Sequence, residues 1–512
     1  MFSYLNKNKD IVSVTLLVLA LAFMYQGSRA LWEPDEGSFG AVGAEMYDDG
    51  DWLIPRLNHQ VYLEKPPVMY WGMIAGFKLL GRNEWGVRVF FGLCYALTVC
   101  AVGAIAMSFW GRRDAVLASL VYATTAVPFV AGNVARPDTP LALFTTLTLY
   151  FFWKSLTAKG NVSAVWKLLM CAAIGVGVLC KGPAALIPTG ALFLYLIIAG
   201  RIKEFFFTLW AIPCFLIFSA VALPWYFFVA RSVPGSASYL WDNYVYGRLI
   251  STKYARHPGL GGIIDAYALP LTLGLLPWVL AWPVIFLRRG KDTWQARPFQ
   301  LLRNLRHHTV ALLLFLWIGV QLLILFLSSS KLPLYVLPVF PAIALITARS
   351  LVLSLGDKKL PLYVTGAILA WSIAMVAAKA ISANVESSNL EFLRRSAVKD
   401  TRYLAREINA VLPAGYTTIL AVDETLDGLS FYYSDKKIIP VSSDGNSYPS
   451  FQKKPRLDAQ LAALKNEPRL AIVTSSHGIA HRLQPVRDIV SAANRTYDDV
   501  ELPFGRRLLL CK

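Results

Sequence analysis

Long apolar runs separated by short polar breaks dominate the chain up to about residue 382, beyond which the pattern shortens and becomes mixed. Runs long enough to cross a hydrocarbon core, about 17–25 residues, fall near 11–27, 87–108, 115–131, 139–153, 166–180, 184–199, 205–229, 263–287, 309–327, 333–348 and 361–381. They predict about eleven spanning helices, or about 11–13 when adjoining runs divide. Segment 28–86 is too polar to span and too long for a turn; its amphipathic stretches at 38–49 and 66–80 predict two helices lying on the membrane surface. After residue 382 the apolar residues come in β-rich runs at 417–422, 437–441 and 470–475, alternating with helical periodicity at 401–411 and 457–464. The expected architecture is an α-helical polytopic membrane domain over 1–382, with a first external loop at 28–86, followed by a small α/β domain over 383–512.

Composition agrees. Hydrophobic residues make up 56% of the chain and charged residues 16%, against about 45–50% and 25% in a soluble domain. The net charge is +18, and its distribution orients the chain. With Lys7 and Lys9 in the cytoplasm, the cytoplasmic loops hold Arg112-Arg113, Lys154 and Lys159, Arg201 and Lys203, the basic 288–306 loop, and Lys358-Lys359. The positive-inside rule is then obeyed throughout, and loop 28–86 and the tail lie outside. The 11–27 run is of spanning length and lacks a small-residue cleavage site, so it reads as a retained first helix. No basic run sits in a soluble aromatic-bearing module, which excludes nucleic acid as the partner of this charge. The six cysteines have no CxxC or metal-ligand spacing, and the tail has neither GxGxxG nor a P-loop.

Polar chemistry collects at one membrane face. Asp35 and Glu36 stand in Trp32-Glu33-Pro34-Asp35-Glu36-Gly37, Glu64 and Lys65 in Glu64-Lys65-Pro66-Pro67, and Asp138 in Arg136-Pro137-Asp138-Thr139-Pro140. Lys181 and Lys331 occupy turns on the same side. Individually, the two aspartates suit helix caps and the lysines suit snorkelling at the interface. Collectively, acids and bases at helix ends, with almost no ionisable group at mid-span, fit an enzyme acting on a lipid-borne headgroup better than an ion-coupled transporter, whose site lies at midplane depth.

At these residues the sequence resembles the GT-C class of membrane glycosyltransferases, in particular the lipid A 4-amino-4-deoxy-L-arabinose transferases and the related protein O-mannosyltransferases. Six ordered blocks carry the resemblance, at 33–40, 50–71, 135–144, 180–188, 241–259 and 328–345. It implies a polyprenyl-phosphate-linked sugar as donor, an inverting transfer at the periplasmic face of a bacterial inner membrane, and lipid A or a related envelope glycolipid as acceptor. Carried over residue by residue, the first-loop acid falls on Asp35 beside Glu36, the second acid on Asp138, and the Glu-Lys pair on Glu64 and Lys65.

On this reading Asp35, Asp138 and Glu36 are the catalytic candidates, because carboxylates stabilise the oxocarbenium character of the reacting sugar. Lys65, with Arg136, Lys181, Arg248, Lys253 and Lys331, is expected to meet the charge developing on the departing phosphate. No cofactor is required; a divalent metal held by Glu64 and His257, with His59 as a further ligand, is the one metal arrangement the sequence offers. Two rival functions remain: a protein O-glycosyltransferase, and a carrier-lipid flippase without chemistry.

Overall fold

The computed structural model describes residues 9–206, 210–244, 256–283, 285, 309–356, 358, 360–383, 397–423, 426–433, 435–443, 451, 454–475 and 480–512. The chain forms two compact units. One comprises residues 1–24, 65–69 and 90–377, the other residues 25–64, 70–89 and 378–512.

The first unit is helical, and the protein is a multi-pass membrane protein. Among the described residues, six helices are long and apolar enough to cross a membrane, up to seven when one bent pair is counted as a single span. Helices occupy the predicted runs at Lys9–Phe23, Glu84–Phe109, Asp138–Thr157, Gly160–Lys181, Leu186–Ile198, Ala211–Ser232, Thr309–Leu327, Phe340–Leu355 and Leu362–Ile381. Gly160–Lys181 ends at Gly182, whose φ of +66° leaves the helical region. Pro183 follows directly, so the chain turns before Leu186–Ile198 begins.

Two predicted spans depart from a straight helix, both for reasons rooted in proline. The 115–131 run becomes Arg112–Thr124 and Ala126–Gly132, bent by 66°. Pro128 has no N–H to give the carbonyl of Thr124, four residues earlier. In a water-poor core that oxygen needs another donor, and Trp371 Nε1 supplies it at 2.9 Å. The 263–287 run breaks into short pieces, Gly259–Ile263, Ile264–Ala268, Leu269–Leu271, Leu273–Leu275 and Trp278–Leu280. Pro270 and Pro277 interrupt its hydrogen-bond ladder. Trp278 holds this region in place, its Nε1 donating to Thr124 Oγ1 at 2.8 Å.

The second unit contains the α/β tail. Strands β3 (Thr418–Val422), β4 (Lys437–Val441) and β5 (Leu470–Ser475) are parallel, and the hairpin β6 (Tyr497–Leu502) and β7 (Arg506–Cys511) joins antiparallel to β5, in the order β4-β3-β5-β7-β6. Side chains alternate across this sheet. Ile419, Ala421, Ala471, Val473, Leu508 and Leu510 pack with helix Thr401–Val411 on one face. Leu420, Val422, Leu470, Ile472, Leu509 and Cys511 pack with Leu457–Ala463 and Ala480–Ala492 on the other.

Both predicted helical stretches of the first loop are helices, Asp35–Asp49 and Val68–Leu80. Between them a two-stranded hairpin, β1 (Arg56–Leu57) and β2 (Gln60–Val61), turns through Asn58 and His59, both with positive φ. Loop and tail are joined by backbone bonds as well as side chains. Glu33 N donates to Lys399 O at 3.0 Å, Trp32 bridges to Asp400, and Leu31 O accepts from Thr401 Oγ1 at 2.9 Å. The compact unit therefore cuts across the chain order.

Leu509 is fully buried in the tail core, and Leu509→Ala is expected to destabilise that sheet by about 2–5 kcal/mol. Thermal unfolding of the purified protein, followed by limited proteolysis of the tail, measures it; an unchanged profile would refute the packing described.

Candidate functional site

In the second unit the acidic candidates sit where loop and tail meet. Asp35 is the first residue of helix Asp35–Asp49, and Pro34 rather than Asp35 occupies the N-cap position. A carboxylate in this first turn lies at the positive end of the helix dipole. Glu36 is 2% exposed and fully engaged. Its Oε1 accepts from Arg88 Nε at 2.7 Å, and its Oε2 from Arg88 Nη2 at 2.8 Å and Arg29 Nη2 at 2.9 Å. Arg88 spends its other N–H groups on the carbonyls of Gln26, Arg29 and Ala30. These are the contacts of an anchor: the carboxylate read from the sequence as catalytic is turned inward onto two guanidiniums.

Around this turn lies a group of carboxyls that the sequence did not single out. Glu33 Oε1 accepts from the backbone N–H of Gly428 at 2.6 Å. Burial, then the neighbouring Asp427, pushes the Glu33 carboxyl well above its ordinary range. Burial also raises the Asp427 carboxyl, against the opposing influence of Lys454 and Ser38. Tyr62 feels the same surroundings. Its phenol is pushed up by burial first, then by Tyr70 and by the carboxyls of Glu64, Asp427 and Asp35. Asp35, Glu64 and Asp427 thus act on one tyrosine within this unit, and Glu64 is itself buried.

In the first unit Asp138 is the first residue of helix Asp138–Thr157 and is 4% exposed. Its Oδ1 accepts from the ammonium of Lys181, the last residue of helix Gly160–Lys181. The same ammonium lies 3.8 Å from the ring centre of Tyr335, a cation–π contact that further stabilises it. Lys331 is 1% exposed and donates to Ser328 O at 2.6 Å, while its backbone N–H bonds to Arg256 O at 2.8 Å. Lys65 and Arg136 are half-buried. Arg248 and Lys253 lie outside the described residues.

The metal expectation finds a different geometry. His257 is exposed, with Nδ1 3.8 Å from Asp265 Oδ2. Among the described residues, the group of three whose ligand atoms lie within 4.8 Å of one another is Glu45, Asp49 and His59. It includes the sequence-proposed His59 but neither Glu64 nor His257. No step below is routed through a metal.

The fold is shared with solved structures of ArnT and of an archaeal oligosaccharyltransferase. Among solved structures, ArnT from Cupriavidus metallidurans bound to undecaprenyl phosphate matches with a TM-score of 0.72 at 20% identity, over 98% of each chain. The apo oligosaccharyltransferase of Archaeoglobus fulgidus matches with a TM-score of 0.54 at 11% identity, over 98% of this chain and 73% of that one. A family model described as dolichyl-phosphate-mannose-protein mannosyltransferase matches residues 64–225. Relatives named undecaprenyl phosphate-alpha-4-amino-4-deoxy-L-arabinose arabinosyl transferase include that of Erwinia tasmaniensis, 30% identical over 62% of this chain and 55% of the relative. Another is that of Pseudomonas savastanoi pv. phaseolicola, 30% identical over 66% and 61%. The chain spans a little over half the length of these relatives, and the arabinose-transferase resemblance read from the sequence agrees with these named relatives and with the ArnT structure.

The raised carboxyl of Glu33 has a consequence for stability. A group whose value is higher folded than unfolded stabilises fully below the unfolded value, about 4.3 for Glu, and loses that contribution as pH rises through the folded value. The loop–tail contact should therefore weaken on going from about pH 5 to about pH 9. Glu33→Gln, which mimics the neutral acid, should flatten the trend. Melting temperatures of both proteins across this range decide it; parallel curves would contradict the assignment to Glu33.

Proposed function

We propose that this protein transfers a sugar from a polyprenyl phosphate to lipid A, or to a related envelope glycolipid, at the periplasmic face of a bacterial inner membrane. The observation that carries the reading is the placement of Asp35 and Asp138. Each opens a helix directly after a proline, and buried Asp138 holds the ammonium of Lys181. The relatives named for undecaprenyl phosphate aminoarabinose transfer, and the ArnT structure bound to undecaprenyl phosphate, support the same donor chemistry.

In the transfer, an acceptor oxygen attacks the anomeric carbon from the face opposite the phosphate. The carbon–oxygen bond to the carrier phosphate breaks, and polyprenyl phosphate leaves. Lys65 is assigned to the developing phosphate charge, with Arg136, Lys181 and Lys331 as further candidate cations; such charges count most where water is scarce. By the resemblance, Asp35 and Asp138 are the carboxylates assigned to the positive character of the sugar ring. Glu36, engaged by Arg88 and Arg29, is assigned to holding the Asp35 turn. A lipid A phosphate is already ionised near neutral pH and needs orientation more than deprotonation. A peptide hydroxyl, the acceptor suggested by the matched mannosyltransferase model, would need a base, and Asp35 is the residue assigned to that task in that case.

The test uses purified full-length protein, undecaprenyl-phosphate aminoarabinose, and either lipid A or a Ser/Thr-rich peptide, with products read by mass spectrometry. Addition of one pentosamine unit to lipid A is expected. Asp35→Asn and Asp138→Asn should each lower transfer by about 10²–10⁴-fold, and Lys65→Ala by about 10²–10³-fold. Glycosylation of peptide alone would replace the lipid acceptor. No transfer to either, with carrier lipid still moved between leaflets, would favour the flippase.

A further inference from the structure

We propose that the tail is a working part of the transfer site, with Asp427 and Gly428 as positioning residues that fix the first turn of the helix carrying Asp35. The inference rests on the reading of Asp35 given above and assigns it a support from the far end of the chain.

The geometry is specific. Ser38 stands three residues after Asp35, on the same side of the helix. Its hydroxyl oxygen lies 2.6 Å from Pro34 O and 3.1 Å from Asp427 Oδ2. A serine has one proton to give. That proton can go to Pro34 O or to Asp427 Oδ2, so the hydroxyl links the turn to the tail carboxyl. Asp427 thereby completes a relay of hydrogen bonds that closes the turn Pro34–Ser38 on both sides.

Gly428 acts on the same turn from the next position. Its N–H bonds to Glu33 Oε1, and it leaves no room for a side chain. A Cβ added there would lie 2.6 Å from that oxygen and 2.8 Å from Gly37 Cα. A Cβ on Gly37 would likewise lie 2.6 Å from the Glu33 carboxyl. The two glycines thus pack over one acid; enlarging Gly428 presses on the Gly37 backbone, whereas enlarging Gly37 presses on the Glu33 side chain. Glu33, Asp35, Gly37 and Ser38 are consecutive or nearly so, so a shift at the tail contact reaches Asp35 directly.

The experiment measures kcat and KM for transfer to lipid A by the full-length protein carrying Asp427→Ala, Asp427→Asn or Gly428→Ala, alone and combined with Asp35→Asn. Asp427→Ala and Gly428→Ala should lower kcat on the order of 10²-fold, with KM little changed, as expected for a misplaced catalytic group. Asp427→Asn, whose carboxamide keeps an oxygen that can accept from Ser38, should restore most of that activity. In the Asp35→Asn background, Asp427→Ala should cause no further loss, because both changes remove the same contribution. A merely structural role would instead give an additive loss in that background and no rescue by asparagine. Parental activity in Asp427→Ala, or an additive loss, overturns this proposal alone. Parental activity in Asp35→Asn overturns the reading of Asp35 and this proposal with it.

Discussion

The arrangement of the second unit depends on one buried guanidinium. Arg88 is 1% exposed, and its nitrogens donate to both oxygens of Glu36 and to the carbonyls of Gln26, Arg29 and Ala30. A charge without water is tolerated only when paired and fully hydrogen-bonded, and here the pairing also fixes geometry. The planar fork that grips Glu36 can do so in essentially one orientation. The same side chain ties down the chain just after the first span. Asp35 is the residue before Glu36, so its direction is inherited from an ion pair to which it contributes nothing. An apolar replacement of comparable volume can match such a pair in stability, but it cannot aim a neighbouring carboxylate.

This explains a division of labour among the acids of the loop. Glu36 faces arginines and serves as an anchor. Glu33 and Asp427, raised by a burial that outweighs the influence of Arg506 and Lys454, serve as hydrogen-bonding groups between loop and tail. Asp35 and Asp138 differ from all three in standing first in a helix, where a negative charge is favoured by the dipole. Of the acids near these turns, those two combine a helix N-terminus with incomplete burial or a lysine partner. That combination suits a group which must hold charge next to a reacting sugar.

How far the sequence revealed this differed from element to element. The spans were legible because apolar runs of their length have few alternatives. The breaks near Thr125 and across 263–287 were not, since a run of apolar residues interrupted by Pro128, Pro270 or Pro277 keeps its hydropathy while losing its ladder. In the tail, β3, β4 and β5 stood out as short β-rich runs. Hairpin β6–β7 did not: β6 reads Tyr497-Asp498-Asp499-Val500-Glu501-Leu502, an edge strand that is largely polar, and β7 is buried on both faces and shows no alternation. Asp35 and Asp138 were visible as Pro-Asp pairs ahead of helical runs. Arg88 was not, because its partner Glu36 lies 52 positions away. Asp427 was more distant still, 389 positions from Ser38. Local pattern carries no trace of contacts at such separation; a lone arginine at the start of an apolar helix was the only available signal.

The proposed transfer poses a problem common to enzymes that work on lipid-borne headgroups. Charged groups cannot be placed deep in the spans without large penalties, so they must come from helix ends and loops, the least rigid parts of a bundle. Precision at such positions has to be supplied from elsewhere. Here the loop residues 28–36 are held by Arg88 on one side and by backbone and side-chain bonds with residues 399–402 on the other. A folded sheet domain, with a core on both faces of its own, is a stiffer support than a surface loop can provide for itself. The tail's position at the end of the sequence therefore says little about its function: it is the scaffold against which the first acidic turn of the chain is set.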